Sequence, residues 1–205
     1  MLPSERDQVS RLLATARQVA ESLDLPTVLT SIVEDATTLL GADSGDILLW
    51  DRSANVLRVV AMANFEPDML GFELPFGEGV STQAIQAQRT IQVDAYGTYE
   101  HRALDLDRYD FGAVLCAPLI FRGEAIGTIN VHARADQRSF PADAADLLGA
   151  FAAHAAIAID HARRFENEVR LGRDLATSNR DLSRSLAVQQ QLAEQVLQDA
   201  GPAGI

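Results

Sequence analysis

The chain contains no lysine: all 17 of its basic residues are arginine. That removes Schiff-base chemistry and a phosphate-loop lysine from the mechanisms open to it. Cysteine is nearly as scarce. Cys116 stands alone, so there is no internal disulfide framework, in keeping with a reducing compartment. No apolar run approaches the ~20 residues of a membrane span. The opening residues Met1-Leu-Pro-Ser-Glu-Arg-Asp7 lack the basic and apolar regions of a secretion signal. A cytoplasmic protein without membrane contact is the expectation. Basic residues are outnumbered 29 to 17 by acidic ones, for a net charge of −12. Such a surface repels phosphate backbones, which argues against direct nucleic-acid binding.

Catalytic groupings are missing as well. Cys116 lies between Leu115 and Ala117, and apolar burial raises a thiol's pKa and blunts it. Asp105 and Asp107 have no recognisable acid/base partner, and the glycines form no phosphate-cradling loop. His132, His154 and His161 are scattered, and the last two, seven apart on a helix, are too distant to share a metal. They read as surface or packing residues. The chain is therefore expected to be neither an enzyme nor a metalloprotein.

What the chain does have is a hairpin, 111–131, around which the rest is organised. Two almost continuous apolar runs flank Arg122-Gly123-Glu124. Gly123 suits a tight turn, and the unbroken apolar character suggests strands covered on both faces. Upstream, Ile47–Trp50 and 56–61 read as strands joined by a polar turn, 80–87 as a short helix and 90–93 as a brief strand. Residues 65–79 are rich in aromatics and turn formers. Residues 94–110 lose periodicity and carry Tyr96, Tyr99, His101 and Tyr109. A loop of that length within one domain is more often functional than incidental.

Helices surround this core. Residues 4–23 form an amphipathic helix with Val9, Leu12, Ala16, Val19 and Leu23 at three-to-four spacing, an a/d seam that calls for a helix partner. A second helix, capped by Asp24 with Pro26 in its first turn, runs to Leu40 and buries Val28, Leu29, Ile32, Val33, Ala36, Leu39 and Leu40. After the hairpin, Ser139-Phe-Pro141 opens a helix that continues to about Asp199, on the order of 85–90 Å at 1.5 Å per residue. Its alanine-rich first part, 147–162, packs on the sheet. Its second part carries a seam, Leu175, Asn179, Leu182, Leu186, Gln189, Ala193 and Val196, alternating four and three apart. Asn179 takes an a position, where a lone polar residue favours a two-stranded parallel pair. Glu168 and Gly172 interrupt the heptad upstream, which predicts a stutter or kink. A parallel homodimer is the reading; the competing one is a helix folded back on the N-terminal helix.

In this order the elements resemble those of a GAF domain. The segment Val114-Leu-Cys-Ala-Pro-Leu-Ile-Phe-Arg-Gly-Glu-Ala-Ile-Gly-Thr-Ile-Asn-Val131 is similar to that family's most recurrent stretch. Leu39-Leu-Gly-Ala42, Phe76-Gly-Glu-Gly79 and the helix from Phe140 to Ala162 look like further landmarks, with His161 where the family commonly has Asn. The resemblance covers roughly 25–165. It implies an α+β fold: a central antiparallel sheet with helices packed on one face and a small-molecule pocket on the other. To this the seams add an N-terminal dimerisation helix (1–24) and a long C-terminal coiled-coil linker (166–205). The tail is similar to the linker that follows the GAF domain in PucR-type transcriptional regulators. The chain stops at Ala203-Gly204-Ile205 as a truncated sensory fragment would, with an output domain beyond Ile205.

The family's known ligands include cyclic nucleotides, haem, bilins, amino acids and aromatic acids. The cyclic-nucleotide Asn-Lys-Phe-Asp-Glu pattern is absent, Cys116 lies in the hairpin strand rather than in the loop where a bilin would attach, and the loop cysteines of the free methionine sulfoxide reductases are missing. His101 falls in the region where haem-binding members place their axial histidine; the alternative is a solvated loop residue beside Glu100 and Arg102. No cofactor is assigned. The expected reading is a dimeric ligand-sensing module of a bacterial regulator, its pocket between the sheet and residues 94–110. Lining residues would be Phe65, Met69, Phe72, Phe76, Ile85, Tyr96, Tyr99, His101, Tyr109 and Cys116. A scaffold with a filled pocket and a haem-based gas or redox sensor are the alternatives. Should the seam register be right, Asn179→Asp places two carboxylates in the dimer interface and weakens the dimer in sedimentation analysis; an unchanged, tight dimer contradicts that register.

Overall fold

The computed structural model describes residues 25–103, 106, 109–134 and 139–199. The described residues up to His161 belong to one compact unit and those from Ala162 to a second. The seam residues Val9, Leu12, Ala16, Val19 and Leu23, with the capping Asp24, lie outside the described residues.

Helix α1 (Leu25–Leu40) leads into strands β1 (Ser44–Asp51) and β2 (Val56–Ala63), the short β3 (Glu73–Pro75), helix α2 (Gly79–Ala87), β4 (Ile91–Val93) and a 3-10 turn (Tyr96–Thr98). The hairpin β5 (Phe111–Phe121) and β6 (Glu124–Arg134) follows, then the long helix α3 (Ala144–Asp199). Six strands form one sheet in the order β3-β2-β1-β6-β5-β4, with antiparallel pairing throughout. The hairpin turn is tight because Arg122 and Gly123 both adopt positive φ, 51° and 82°, the backbone that matches strand twist in a two-residue connection. At the β1–β2 turn the Asp51 carboxylate accepts from the Ser53 and Ala54 main-chain N–H groups and from the Ser53 hydroxyl. These bonds hold its pKa below the usual carboxylate value.

Strand alternation sorts the side chains into two layers. Ile47, Leu115, Ala117, Leu119, Ile129 and Val131 face one side, where they meet Leu29, Ile32, Val33 and Ala36 of α1 and Leu148, Ala152, Ala155 and Ile159 of α3. On the opposite side Leu48, Leu57 and Val59 pack with Phe65, Met69, Leu74, Ile85 and Leu106, and Val114 and Cys116 pack with Val80, Ala84 and Tyr96. Both faces of the hairpin are thus covered, which is why its sequence is apolar almost without interruption.

Three details differ from expectation. Leu39 is 66% exposed; Thr37 takes a buried place on α1 instead, its hydroxyl donating to the Val33 carbonyl at 2.7 Å. Helix α3 begins at Ala144 rather than at 139–141, because Pro141 contributes its carbonyl to a turn closed by the Ala144 N–H at 3.1 Å. Residues 73–75, read as part of an irregular stretch, add strand β3 to the sheet edge. Gly172 lies inside continuous helix.

The register of β1 on β6 depends on Gly127. A Cβ there would come within 2.1 Å of the Leu48 carbonyl oxygen, an approach no side chain survives. Gly127→Ala is expected to destabilise by at least the ~1–3 kcal/mol of an overpacked core. Gly149, helical with no atom within 4 Å of its virtual Cβ, gives the opposite result: Gly149→Ala stabilises by about 1 kcal/mol. Paired thermal melts check both, and a neutral Gly127→Ala refutes the close approach.

Candidate ligand site

Polar residues on an interior sheet face need local partners, and the face beneath α2 carries several. Asp46 on β1 lies opposite Asn130 on β6. Both are buried, together with Ser81, Thr128 and His132. The Asn130 side-chain N–H donates to Asp46 Oδ1 at 2.7 Å, and the Ser81 hydroxyl donates to Asn130 Oδ1 at 3.3 Å. The Cys116 thiol approaches Ser81 Oγ at 3.9 Å. The His132 Nε2 stands 3.5 Å from Asp46 Oδ2, and the His132 ring stacks on Phe111 with centroids 4.2 Å apart.

Asp46, Ser81, Asn130 and His132 form one wall of a cavity of about 20 Å³, closed by Leu48, Met69, Leu74, Val80, Tyr96, Ala103, Leu106, Phe111 and Val114. That is room for about one water. The Tyr96 hydroxyl accepts from the Ala103 N–H at 3.1 Å and the His101 carbonyl accepts from the Gly79 N–H at 2.8 Å, so the covering segment is tied to itself and to α2. Beyond Phe111 and His132, which line both spaces, an open groove of about 550 Å³ runs between Phe65, Tyr109, Glu66 and Asp43.

Burial governs the protonation of the cluster. Desolvation pushes Asp46 up to about 7, with the Asn130 hydrogen bond opposing. It pushes His132 down to about 3, and the nearby Ser44 main chain counters only in part, without completing a hydrogen bond to Nδ1. The same desolvation drives the Cys116 thiol well above its ordinary value, opposed by Ser81. At neutral pH the histidine is uncharged, so the Asp46–His132 approach is not an ion pair.

Of the residues expected to line a pocket, Met69 and Tyr96 face the cavity, and Phe65 and Tyr109 line the outer groove. Phe72, Phe76 and Ile85 belong to the packing around Leu48 and Leu57, with Phe76 stacked on Trp50 at 4.3 Å. Tyr99 bonds Gln83 through its hydroxyl, and burial raises its pKa. Cys116 sits in the wall behind Ser81. His101 is exposed. With that imidazole outside a water-sized cavity, these residues do not fit a haem. Sequence reasoning passed over Asp46, Asn130 and Ser81 and took His132 for a surface or packing residue. The signal was present: Thr128, Asn130 and His132 alternate within an apolar strand, and Asp46 shares a face with Leu48.

The antiparallel sheet carries α1 and the first part of α3 on one face and α2 with a small polar-walled cavity on the other, which defines an α+β domain. Residues 24–159 match the GAF domain, and the chain belongs to that family. GAF domains are sensory and regulatory modules of signalling proteins; they commonly bind small molecules and sit beside output domains. Among solved structures, the chain is similar to the GAF domain of an Acinetobacter phosphoenolpyruvate-protein phosphotransferase (20% identity over 82% of this chain and 99% of that one, TM-score 0.63). The GAF-B domain of DevS from Mycobacterium smegmatis matches at 23% identity over 72% and 99%, with a TM-score of 0.56. Free methionine-R-sulfoxide reductase from Neisseria meningitidis matches at 18% over 80% and 96%, with a TM-score of 0.60. No helix among the described residues is long and apolar enough to cross a membrane.

The two shifted groups pull stability in opposite directions with pH. Asp46, raised, contributes stability below about 4 that is lost as pH climbs toward about 7. His132, depressed, contributes stability above about 6.5 that is lost as pH falls toward about 3. Between pH 4 and 6.5 the slopes oppose. Relative to wild type, Asp46→Asn should therefore gain stability steadily as pH rises from 4 to 7, and His132→Gln should gain as pH falls from 6.5 to 4. Parallel wild-type and variant melting curves across that range would contradict the shifts.

Proposed function

We propose that this chain is the ligand-sensing and dimerisation module of a bacterial cytoplasmic signalling protein, without catalytic activity of its own. The observation that carries the reading is the buried cluster of Asp46, Asn130, Ser81 and His132 around a cavity. Apolar packing alone does not require such a cluster, and each desolvated polar group in it has a cost. Ligand entry displaces the cover formed by Tyr96, Ala103 and Leu106, and changes packing on strands β5 and β6. The opposite face of those strands holds the first part of α3, so residues 166–205 would carry the change to an output domain beyond Ile205.

Dimerisation through the two seams fits this role. Leu175 is 65% exposed in the single chain, and Asn179, Leu182, Leu186 and Val196 follow within α3. A transcription-regulatory output of the PucR type rests on the likeness of the tail. Catalysis of the kind named for the methionine sulfoxide reductase finds no support in Cys116, whose thiol is buried and held protonated. The second reading is a non-sensing scaffold, and the water-sized volume of the cavity favours it.

A metabolite panel screened against the chain by thermal melting separates the two. A ligand at about a hundred times its Kd stabilises by about 2.7 kcal/mol, a rise of roughly 5–10 °C for a chain of this size. Ser81→Val, which removes the donor to Asn130 and narrows the cavity, should abolish the rise. A panel that shifts nothing, together with a Ser81→Val regulator that responds normally, refutes the sensing reading.

A further inference from the structure

The described wall of the cavity presents a carboxyl group and no permanently charged cation. Asp46 is buried with two carboxylate oxygens; one accepts from Asn130, and the other has only the 3.5 Å approach of an uncharged imidazole. Among the described residues no arginine lines the cavity, and the chain has no lysine to supply a cation. The Ser81 hydroxyl occupies the Asn130 carbonyl, which turns the amide N–H toward Asp46 and leaves the carboxylate as the open acceptor. A second group there also lacks a partner, the buried Nδ1 of His132.

We propose that the ligand of this pocket is an organic cation, an amine or amidine whose N–H groups donate to the Asp46 carboxylate while its apolar body lies against Tyr96 and Phe111. The assignment rests on the sensing reading above and specifies its ligand class. Charge-assisted N–H to carboxylate bonds are among the strongest a buried site can make, and aromatic faces add attraction for a cation. A carboxylate or phosphate head would meet Asp46 with no cation among the described lining residues to offset the repulsion. About 20 Å³ accommodates an ammonium-sized head alone, and an amidinium enters as the cover of Tyr96, Ala103 and Leu106 gives way. The body takes the direction of the outer groove, whose shared wall is the stacked pair Phe111 and His132.

Binding a cation also selects the ionised carboxylate. Among the described residues the titratable groups facing Asp46 are His132 from β6, Cys116 from β5 and Tyr96 from the 3-10 turn, while α2 offers only the Ser81 hydroxyl; none of these is a cation at neutral pH. With Asp46 titrating at about 7, occupancy by a cation at pH 7 releases about half a proton.

Calorimetry and thermal melting of the whole chain with benzamidine and phenethylamine, against neutral benzamide and anionic benzoate, test this. The two cations should bind and raise Tm, benzoate should not, and Asp46→Asn should weaken benzamidine by about tenfold or more. Matched titrations in buffers of different ionisation heat should show proton release at pH 7 that fades by pH 8.5. The comparison of the two cations with benzamide and benzoate on wild type decides the matter if Asp46→Asn fails to fold. Equal binding of benzoate or benzamide, or undiminished binding to Asp46→Asn, overturns the cation assignment and leaves the sensing reading standing. No binding by any of the four probes overturns the cation assignment, and only an unresponsive wider metabolite panel would remove the sensing reading with it.

Discussion

The pairing of Asp46 with Asn130 across β1 and β6 is the constraint on which the rest of the architecture turns. A carboxylate in the middle of a sheet, cut off from water, has a place only if its partners are built into the neighbouring strand. The antiparallel register supplies Asn130 directly opposite, and Gly127 lets the two backbones lie close enough to hold that register. Ser81, delivered by the first turn of α2, then orients the amide. Remove the pairing and the cavity loses its polar wall while keeping its apolar cover.

The same two strands connect this site to the long helix. On β5 and β6, Cys116, Asn130 and His132 point toward α2, and their immediate neighbours Leu115, Ile129 and Val131 point into the layer containing Leu148, Ala152, Ala155 and Ile159 of α3. Site and helix are one residue apart along the strand and one sheet thick in space. Close-packed interiors transmit displacement rather than absorb it. A change of packing under Tyr96 therefore has a short physical route to α3, and the hairpin is that route.

Much of this was legible in the sequence because apolar periodicity is a direct record of burial. The hairpin, its Arg122-Gly123 turn, α1 and the extent of α3 follow from spacing and from two turn-forming residues. Leu39 was misread because a helix face wider than its contact counts too many apolar residues as core; Thr37, polar but bonded back to its own helix, filled the place. Strand β3 escaped notice because three residues between turns show no period. The site was the hardest part. Aromatics in an irregular loop attract attention, yet Phe72 and Phe76 pack, and His101 faces solvent. The polar wall is spread over β1, α2 and β6, brought together only by pairing register, and Asp46 in isolation looks like any strand-edge acid. Polar residues alternating inside an otherwise apolar strand, as Thr128, Asn130 and His132 do, are the sequence mark of such a wall.

The most direct measurement is a carboxyl-carbon NMR titration of Asp46, with and without saturating benzamidine. The account predicts a midpoint near 7 in the free chain and a marked fall when the amidine is bound. A midpoint near the ordinary carboxylate value in the free chain, or one that benzamidine leaves unmoved, would contradict it.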